Sequence, residues 1–138
     1  MSVTWQFGNK LGETAPIEDL EQELQTILPR DYVECVLENN AGYPSLHTFE
    51  TQSGEQHVFS DLLSVVRSDD NNIYQAHEAV SDRLGRRDIL PFAADPFGNY
   101  LCFNFDNSSA SVVYWSHETN TLHTVTRTFS DLINMLHP

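Results

Sequence analysis

The feature that most constrains the fold is the alternation of apolar and polar side chains in the last third of the chain. Residues 100–106 alternate in this way, as expected for a half-buried strand. Turns predicted at 107–110 and 118–121 separate this segment from strand-like segments at 111–117 and 122–127. Because the turns are short, the three segments predict an antiparallel meander.

Helical periods flank the meander on both sides. Apolar residues recur at spacings of three and four over about 16–26, and Pro29 opens a second helix. The second helix ends at a turn where we expect Gly42 to adopt the left-handed conformation. A last helix begins at Thr128, with Asp131 three residues later in a capping arrangement. The pattern predicts an α+β fold, with a central antiparallel sheet and the helices of both chain ends packed on one face.

The middle of the chain predicts a hairpin followed by a helix. Segments 46–51 and 56–60 read as its two strands. Residues 69–84 have a helical period but many polar side chains, so we expect an exposed helix there. The residues expected to share one core are Phe103, Phe105, Trp115, Phe129 and Leu132.

The charge balance narrows the class of partner. The chain has 138 residues, with 20 acidic and 7 basic side chains and a formal net charge of −13. Nucleic acids and anionic membranes are bound through Lys and Arg, so neither is an expected partner. A basic protein partner is favoured, although an acidic surface also serves solubility alone. Without a linker or repeat, we expect one domain over 1–138, with its core at about 15–136.

The sequence also predicts the cellular location of the protein and the state of its two cysteines. The N-terminal segment lacks the features of a secretory signal and no apolar run approaches the length of a membrane span, so we expect a cytoplasmic protein. Cys35 and Cys102 have no CxxC partner, and we expect both thiols to be free.

Five motifs, in this order along the chain, resemble those of the SUKH superfamily, which contains fungal cell-wall regulators and many bacterial immunity proteins. The resemblance covers about 15–136. Two features depart from it: the usual Asn-Gly-Gly turn is Asn-Ala-Gly here, and segment 69–87 follows no family pattern. The motifs are LPRDY at 28–32, NAGYP at 40–44, ILPFAAD at 89–95 with GN at 98–99, VYWSHE at 113–118 and TFSDLI at 128–133.

The resemblance implies a non-enzymatic domain without a cofactor. In bacteria such a domain binds and neutralises a cognate toxin, often a nuclease, by stoichiometric protein–protein binding. The alternative is a non-catalytic regulatory scaffold or adaptor that binds a housekeeping protein. A gene for a large toxin immediately upstream would favour the first function over the second.

Metal-dependent chemistry is the third possibility. Asp69, Asp70, Asp95 and Asp106 could form a carboxylate site for a divalent cation. Asp95 and Asp106 are better interpreted as turn residues that accept backbone N–H groups. We therefore expect no metal site of this kind.

Zinc binding and nucleophilic catalysis are not favoured either. His117 and His123 flank one turn but have no third ligand, and His47 and His57 are weaker candidates. The chain has no G-x-S-x-G motif and no glycine-rich phosphate loop. Cys35 lies in an apolar helix stripe, where a thiolate is disfavoured. No catalytic residue is assigned.

The candidate contact surface combines the loop at 40–43 with the segment at 69–78. Tyr43 would be its aromatic anchor, and Asp69, Asp70 and Glu78 would meet Arg or Lys of the partner. Trp115 is expected in the core. Other aromatic residues considered as anchors are Trp5, Tyr100 and Tyr114.

Overall fold

The computed structural model describes residues 2–106 and 109–138, and these form helices and strands in a mixed order. The helices are α1 (Ala15–Leu24), α2 (Arg30–Asn39), α3 (Ile73–Leu84) and α4 (Phe129–Met135). The strands are β1 (Trp5–Gln6), β2 (Tyr43–Pro44), β3 (Thr48–Glu50), β4 (Gln56–Val58), β5 (Asp61–Leu62), β6 (Ile89–Ala94), β7 (Tyr100–Asn104), β8 (Ser111–Ser116) and β9 (Thr121–Thr126). Asn107 and Ser108, which form half of the predicted turn at 107–110, lie outside the described residues.

The main sheet has five strands in the order β5-β6-β7-β8-β9, and every neighbouring pair is antiparallel. This arrangement confirms the predicted meander and the α+β class. Strand β6 carries a proline in the interior of the sheet, where a missing N–H would break the ladder. The register shifts between Pro91 and Ala93, so the proline sits beside an irregularity that accommodates it.

The register of β7 and β8 sorts the core residues onto two faces. Residues directly opposite each other in an antiparallel pair lie on the same face. Trp115 is opposite Tyr100, so it shares a face with Cys102 and not with Phe103. Phe103, Phe129 and Leu132 occupy one apolar cluster, whereas Trp115 packs in a second cluster that contains Cys102 and Val80 of α3.

The expectation of one shared core was therefore wrong for Trp115, although this residue is buried as predicted. The face that Trp115 occupies depends on the register of the strands, which the alternation of residues does not specify. Phe105 is only half-buried, at the margin of the first cluster.

The helices at the two chain ends cover the first face, as predicted. Ile17 and Leu20 of α1, Val36 of α2 and Leu132 of α4 join the cluster around Phe103. A carboxylate ties two of these helices together. Oδ2 of Asp31, at the start of α2, accepts hydrogen bonds of 2.8 Å from both the N–H and the hydroxyl of Ser130 in α4.

Helix α3 was predicted to be exposed, and this expectation was wrong. The helix begins only at Ile73, after Asn72 accepts the N–H of Gln75 at 2.9 Å as an N-cap. It packs against β6 with one face buried, and that face includes the polar residues His77 and Ser81. Polar side chains that point inward hid the buried stripe in the sequence pattern.

Two short ribbons complete the structure. The predicted hairpin is confirmed by the β3–β4 pair, in which Phe49 faces His57. Strands β1 and β2 form a second antiparallel pair that the sequence did not predict, and Gln6 faces Tyr43 in it. Among the residues that the structure describes, no helix is long and apolar enough to cross a membrane.

Candidate partner-binding surface

Tyr43 is an exposed aromatic side chain, in line with its expected exposure. The residue is 44% exposed, and its ring makes an edge-to-face contact with Phe7, with the ring centroids 5.7 Å apart. Phe7 is 83% exposed. We call these two residues the Phe7–Tyr43 pair. Exposed aromatic residues that brace each other are typical anchors of protein–protein interfaces.

The backbone of Phe7 is strained. Its φ angle is +64°, a conformation that bulky side chains rarely adopt and that costs on the order of 1–3 kcal/mol. This strained backbone holds a large apolar side chain in solvent, where it gains no stabilisation from burial in the core. Sequence analysis missed Phe7. The one feature of the sequence that could have indicated Phe7 is its spacing of two residues from Trp5, as in a strand. Trp5 itself is half-buried against Phe59.

The turn that carries Tyr43 is fixed by a buried amide. The side-chain nitrogen of Asn40 donates to the hydroxyl of Ser64 at 3.0 Å, and its side-chain oxygen accepts the N–H of Val65 at 3.0 Å. Ala41 adopts the left-handed conformation, with φ +63°, whereas Gly42, where this conformation was expected, does not. Gly42 serves close packing instead, because a Cβ there would lie 2.9 Å from the carbonyl oxygen of Asn39.

The same network reaches the acidic segment. The hydroxyl of Ser64 donates to Oδ2 of Asp69 at 2.7 Å, so Ser64 links Asn40 in the turn to Asp69. Asp70 follows and is exposed, with no hydrogen bond or ion pair among the described residues. The structure thus joins Asp69 to the loop at 40–43 through two hydrogen bonds.

Glu78 differs from the other candidates. Its carboxylate lies 3.6 Å from Arg87, and both side chains are exposed. An intramolecular ion pair would compete with a partner's cation, although exposed pairs of this kind contribute little stability. Glu78 is therefore the member of the predicted set with the least available charge.

The surface as a whole is left with an excess of negative charge. Among the described residues, Lys and Arg form ion pairs with five of the 20 carboxylates. Within residues 2–106 and 109–138, most acidic side chains therefore form no ion pair with Lys or Arg. Such a field accelerates the approach of a basic protein.

The rejected metal candidates have structural partners. Oδ1 of Asp95 accepts the N–H groups of Phe97 and Asn99 at 2.8 Å each, which confirms the predicted turn role. The predicted turn of Asp106 includes Asn107 and Ser108, which lie outside the described residues. The N–H of Asp106 donates to the side-chain oxygen of Asn104 at 3.0 Å, and its carboxylate lies 3.9 Å from Arg86.

The two histidines considered as zinc ligands also have other partners. A ring nitrogen of His117 lies 2.7 Å from the side-chain oxygen of Asn99. His123 lies opposite Tyr114 in the sheet, and its ring contacts Thr121 and Glu55. Over residues 2–106 and 109–138, no group of three His, Cys, Asp or Glu side chains is placed to hold a metal ion.

The two cysteines, Cys35 and Cys102, are free thiols and poor nucleophiles. Burial raises the pKa of Cys35 to about 11, and burial also raises the pKa of Cys102 well above its usual value. Both groups therefore remain protonated near neutral pH. Of the other aromatic candidates, Trp115 and Tyr114 are buried and Trp5 and Tyr100 are half-buried, so none offers the exposure of Tyr43.

Comparison with known proteins agrees with the fold. The SUKH_6 family model, described as SMI1-KNR4 cell-wall, matches residues 14–133. The chain therefore belongs to the SUKH family, and the resemblance seen in the sequence is confirmed. A search of curated proteins found no match.

A solved structure has a similar fold. It is described as the crystal structure of a protein from Pseudomonas syringae pv. tomato and superimposes with a TM-score of 0.51 at 15% identity. The match covers 80% of this chain and 72% of that chain. At this identity the likeness shows the fold alone.

Proposed function

We propose that this chain is an immunity protein that binds and neutralises a cognate toxin with a basic, nuclease-type domain. The observation that carries the proposal is the Phe7–Tyr43 pair, an exposed apolar contact on an acidic surface, in a domain of the SUKH family. Binding is stoichiometric, and no bond is made or broken. The fixed turn beneath Tyr43 lowers the entropy lost when a partner docks.

The two parts of the surface have different tasks. Asp69 and Asp70 attract a basic toxin domain and orient its approach, since electrostatic complementarity acts mainly on the association rate. Phe7 and Tyr43 then bury apolar area against the toxin and slow its dissociation. A bound acidic domain would cover the groove in which a nuclease holds its polyanionic substrate.

A second function is favoured by the description of the family model, which refers to the cell wall. In this alternative the chain is a regulatory adaptor that uses the same surface for a housekeeping protein. The gene neighbourhood separates the two proposals, because an immunity gene is expected beside its toxin gene.

Co-expression with candidate toxin domains tests the proposal directly. We expect one domain to stop growth alone, and growth to return when this chain is co-expressed. The purified proteins should form a 1:1 complex in light scattering coupled to size exclusion. A double variant, Phe7→Ala with Tyr43→Ala, should lose rescue. Ile27→Ala is the matched control, because Ile27 is also exposed, at 79%. It lies in the connection between α1 and α2 and not in the β1–β2 ribbon that carries the pair.

Two results would overturn the proposal. One is growth arrest by every neighbouring toxin domain regardless of co-expression. The other is rescue without any complex in solution, since stoichiometric binding is the proposed mechanism.

A further inference from the structure

A pocket of about 330 Å³ is lined by none of the residues of the surface described above. The hairpin β3–β4 contributes Glu55 and His57 to its lining, the sheet contributes Tyr114 and His123, and the turn after β8 contributes Glu118. The volume is at the lower end for ligand sites, so it suits a single side chain better than a cofactor. We call it the Glu55–Glu118 pocket.

Its carboxylates have acceptor capacity to spare. Oε1 of Glu55 lies 3.3 Å from His57 and 3.8 Å from His123. In the part of the chain that the structure describes, neither Oε2 of Glu55 nor the carboxylate of Glu118 has a hydrogen-bond donor. The pocket thus presents carboxylate oxygens that accept no hydrogen bond within the described residues.

Its walls are aromatic and rigidly held. The ring of His57 stacks on the buried ring of Tyr114, with centroids 3.9 Å apart and planes 18° apart. The ring surfaces open to a ligand are therefore those of His57 and Phe97. The Tyr114 hydroxyl is held by Asp95, whose negative charge adds to the field of the pocket. Phe97 also lines the pocket and is 72% exposed, and its N–H donates to the same carboxylate, that of Asp95.

We propose that the Glu55–Glu118 pocket binds the guanidinium group of an arginine side chain from the partner. A guanidinium is planar and always charged, bonds carboxylates in bidentate geometry and stacks on aromatic faces. An ammonium can use the carboxylates but not the stacking surface. An anion would meet Glu55 and Glu118 as like charges. The identity of the partner depends on the proposed function, because a basic toxin domain is the source of the arginine.

A small probe tests the pocket without the toxin. The intact protein is titrated at pH 7.5 with Nα-acetyl-L-arginine methylamide while the histidine ring resonances are followed by NMR. We expect saturable shifts at the three pocket histidines, His57, His117 and His123. His47 and His77, which lie outside the lining, should not shift and serve as internal controls.

Two analogues define the chemistry. The citrulline analogue has the same shape without the charge and should give no saturable shift. The lysine analogue should bind several-fold more weakly. Equal binding of either analogue, or no shift with the arginine compound, would overturn the proposal.

Variants then assign the carboxylates. Glu55→Gln and Glu118→Gln should each weaken the arginine compound by about tenfold, the loss of roughly one charge-assisted hydrogen bond. Glu34→Gln removes an exposed carboxylate outside the lining and should leave binding unchanged. Equal affinity in all three variants would contradict the assignment.

The two proposals fail separately. If the toxin is neutralised but the arginine compound does not bind, the pocket proposal alone is wrong. If the arginine compound binds as expected but no toxin is neutralised, the immunity function is wrong and the pocket remains a guanidinium site.

Discussion

The hydroxyl of Tyr114 donates a hydrogen bond of 2.6 Å to Oδ2 of Asp95, and both residues are buried. Oδ2 also accepts the side-chain amide of Asn99 at 3.0 Å, and Oδ1 accepts two backbone N–H groups. Burial by itself would raise the pKa of Asp95, but these hydrogen bonds outweigh it and leave the pKa below its usual value. One carboxylate therefore joins strand β8 to the turn after β6.

This arrangement predicts an acid-sensitive contribution to stability. Because the folded-state pKa of Asp95 is lower than the pKa in the unfolded chain, about 4, its contribution is fully present above that value and is lost as pH falls through the folded pKa. The free energy of unfolding, measured in urea, should differ between the wild type and Asp95→Asn at pH 6, and that difference should shrink near pH 3.

The control is Asp82→Asn, which removes an exposed carboxylate of α3 that has no hydrogen bond among the described residues. Its difference from the wild type should be small at both pH values. A difference for Asp95→Asn that is constant from pH 6 to pH 3 would show that the ionised carboxylate is not what the turn and Tyr114 stabilise.

The local half of this network could be predicted from the sequence, and the long-range half could not. Asp95 precedes Pro-Phe-Gly, so its role in the turn follows from residue types alone. Its bond with Tyr114 depends on the register of β7 and β8, which is set by a turn and by packing. Because the register could not be predicted from the sequence, the face expected for Trp115 was also wrong.

Two phenylalanines of the same apolar cluster differ in burial, and this difference predicts different costs when each is truncated. Phe103 is fully buried between aromatic neighbours, whereas Phe105 is half-buried at the margin of the same cluster. Phe103→Ala should lower the free energy of unfolding by about 3–5 kcal/mol, and Phe105→Ala should cost clearly less. Urea unfolding of both variants checks this, and equal costs would mean that Phe105 is more buried than the structure shows.

The turn before β2 predicts opposite effects for two adjacent substitutions. Ala41 has φ +63°, so Ala41→Gly removes a strained Cβ. Part of this gain is offset because glycine has more conformational freedom in the unfolded chain, so the free energy of unfolding should rise by up to about 1 kcal/mol. Gly42→Ala should lower it by about 1–3 kcal/mol, because the new Cβ would meet the Asn39 carbonyl.

Thermal unfolding of the two variants gives the signs directly, and each serves as the control for the other. The same sign for both would contradict the assignment of left-handed backbone to Ala41. The family resemblance anticipates the result, since the usual turn has glycine at both positions.

The candidate surface shows the same division between local and long-range information. Tyr43 was predicted because an aromatic residue beside a Pro-containing turn is rarely buried. Phe7 was not, because its contact depends on pairing between β1 and β2, and these two-residue strands have no recognisable period. The burial of His77 and Ser81 in α3 could not be predicted for the converse reason, because a polar side chain in a helical pattern indicates an exposed position.

The two parts of the surface predict separable effects on binding kinetics once the toxin is in hand. Neutralising Asp69→Asn and Asp70→Asn together should lower the association rate constant, and Tyr43→Ala should raise the dissociation rate constant by about tenfold or more. Asparagine at position 69 can still accept the Ser64 hydroxyl, so the turn keeps its support. Raising the salt from about 0.05 to 0.5 M should slow association far more than it speeds dissociation, because screening acts over about one Debye length.

Glu13→Gln with Glu34→Gln is the charge-matched control, since both carboxylates are exposed and have no ion pair among the residues described. Surface plasmon resonance at several salt concentrations gives both rate constants for every variant. An association rate that ignores salt, or a complex unchanged by all three substitutions, would exclude this surface. The contact would then move to the acidic face of α1, where the exposed Glu18 shares a groove with the exposed apolar side chain of Ile27 in the connection that follows the helix.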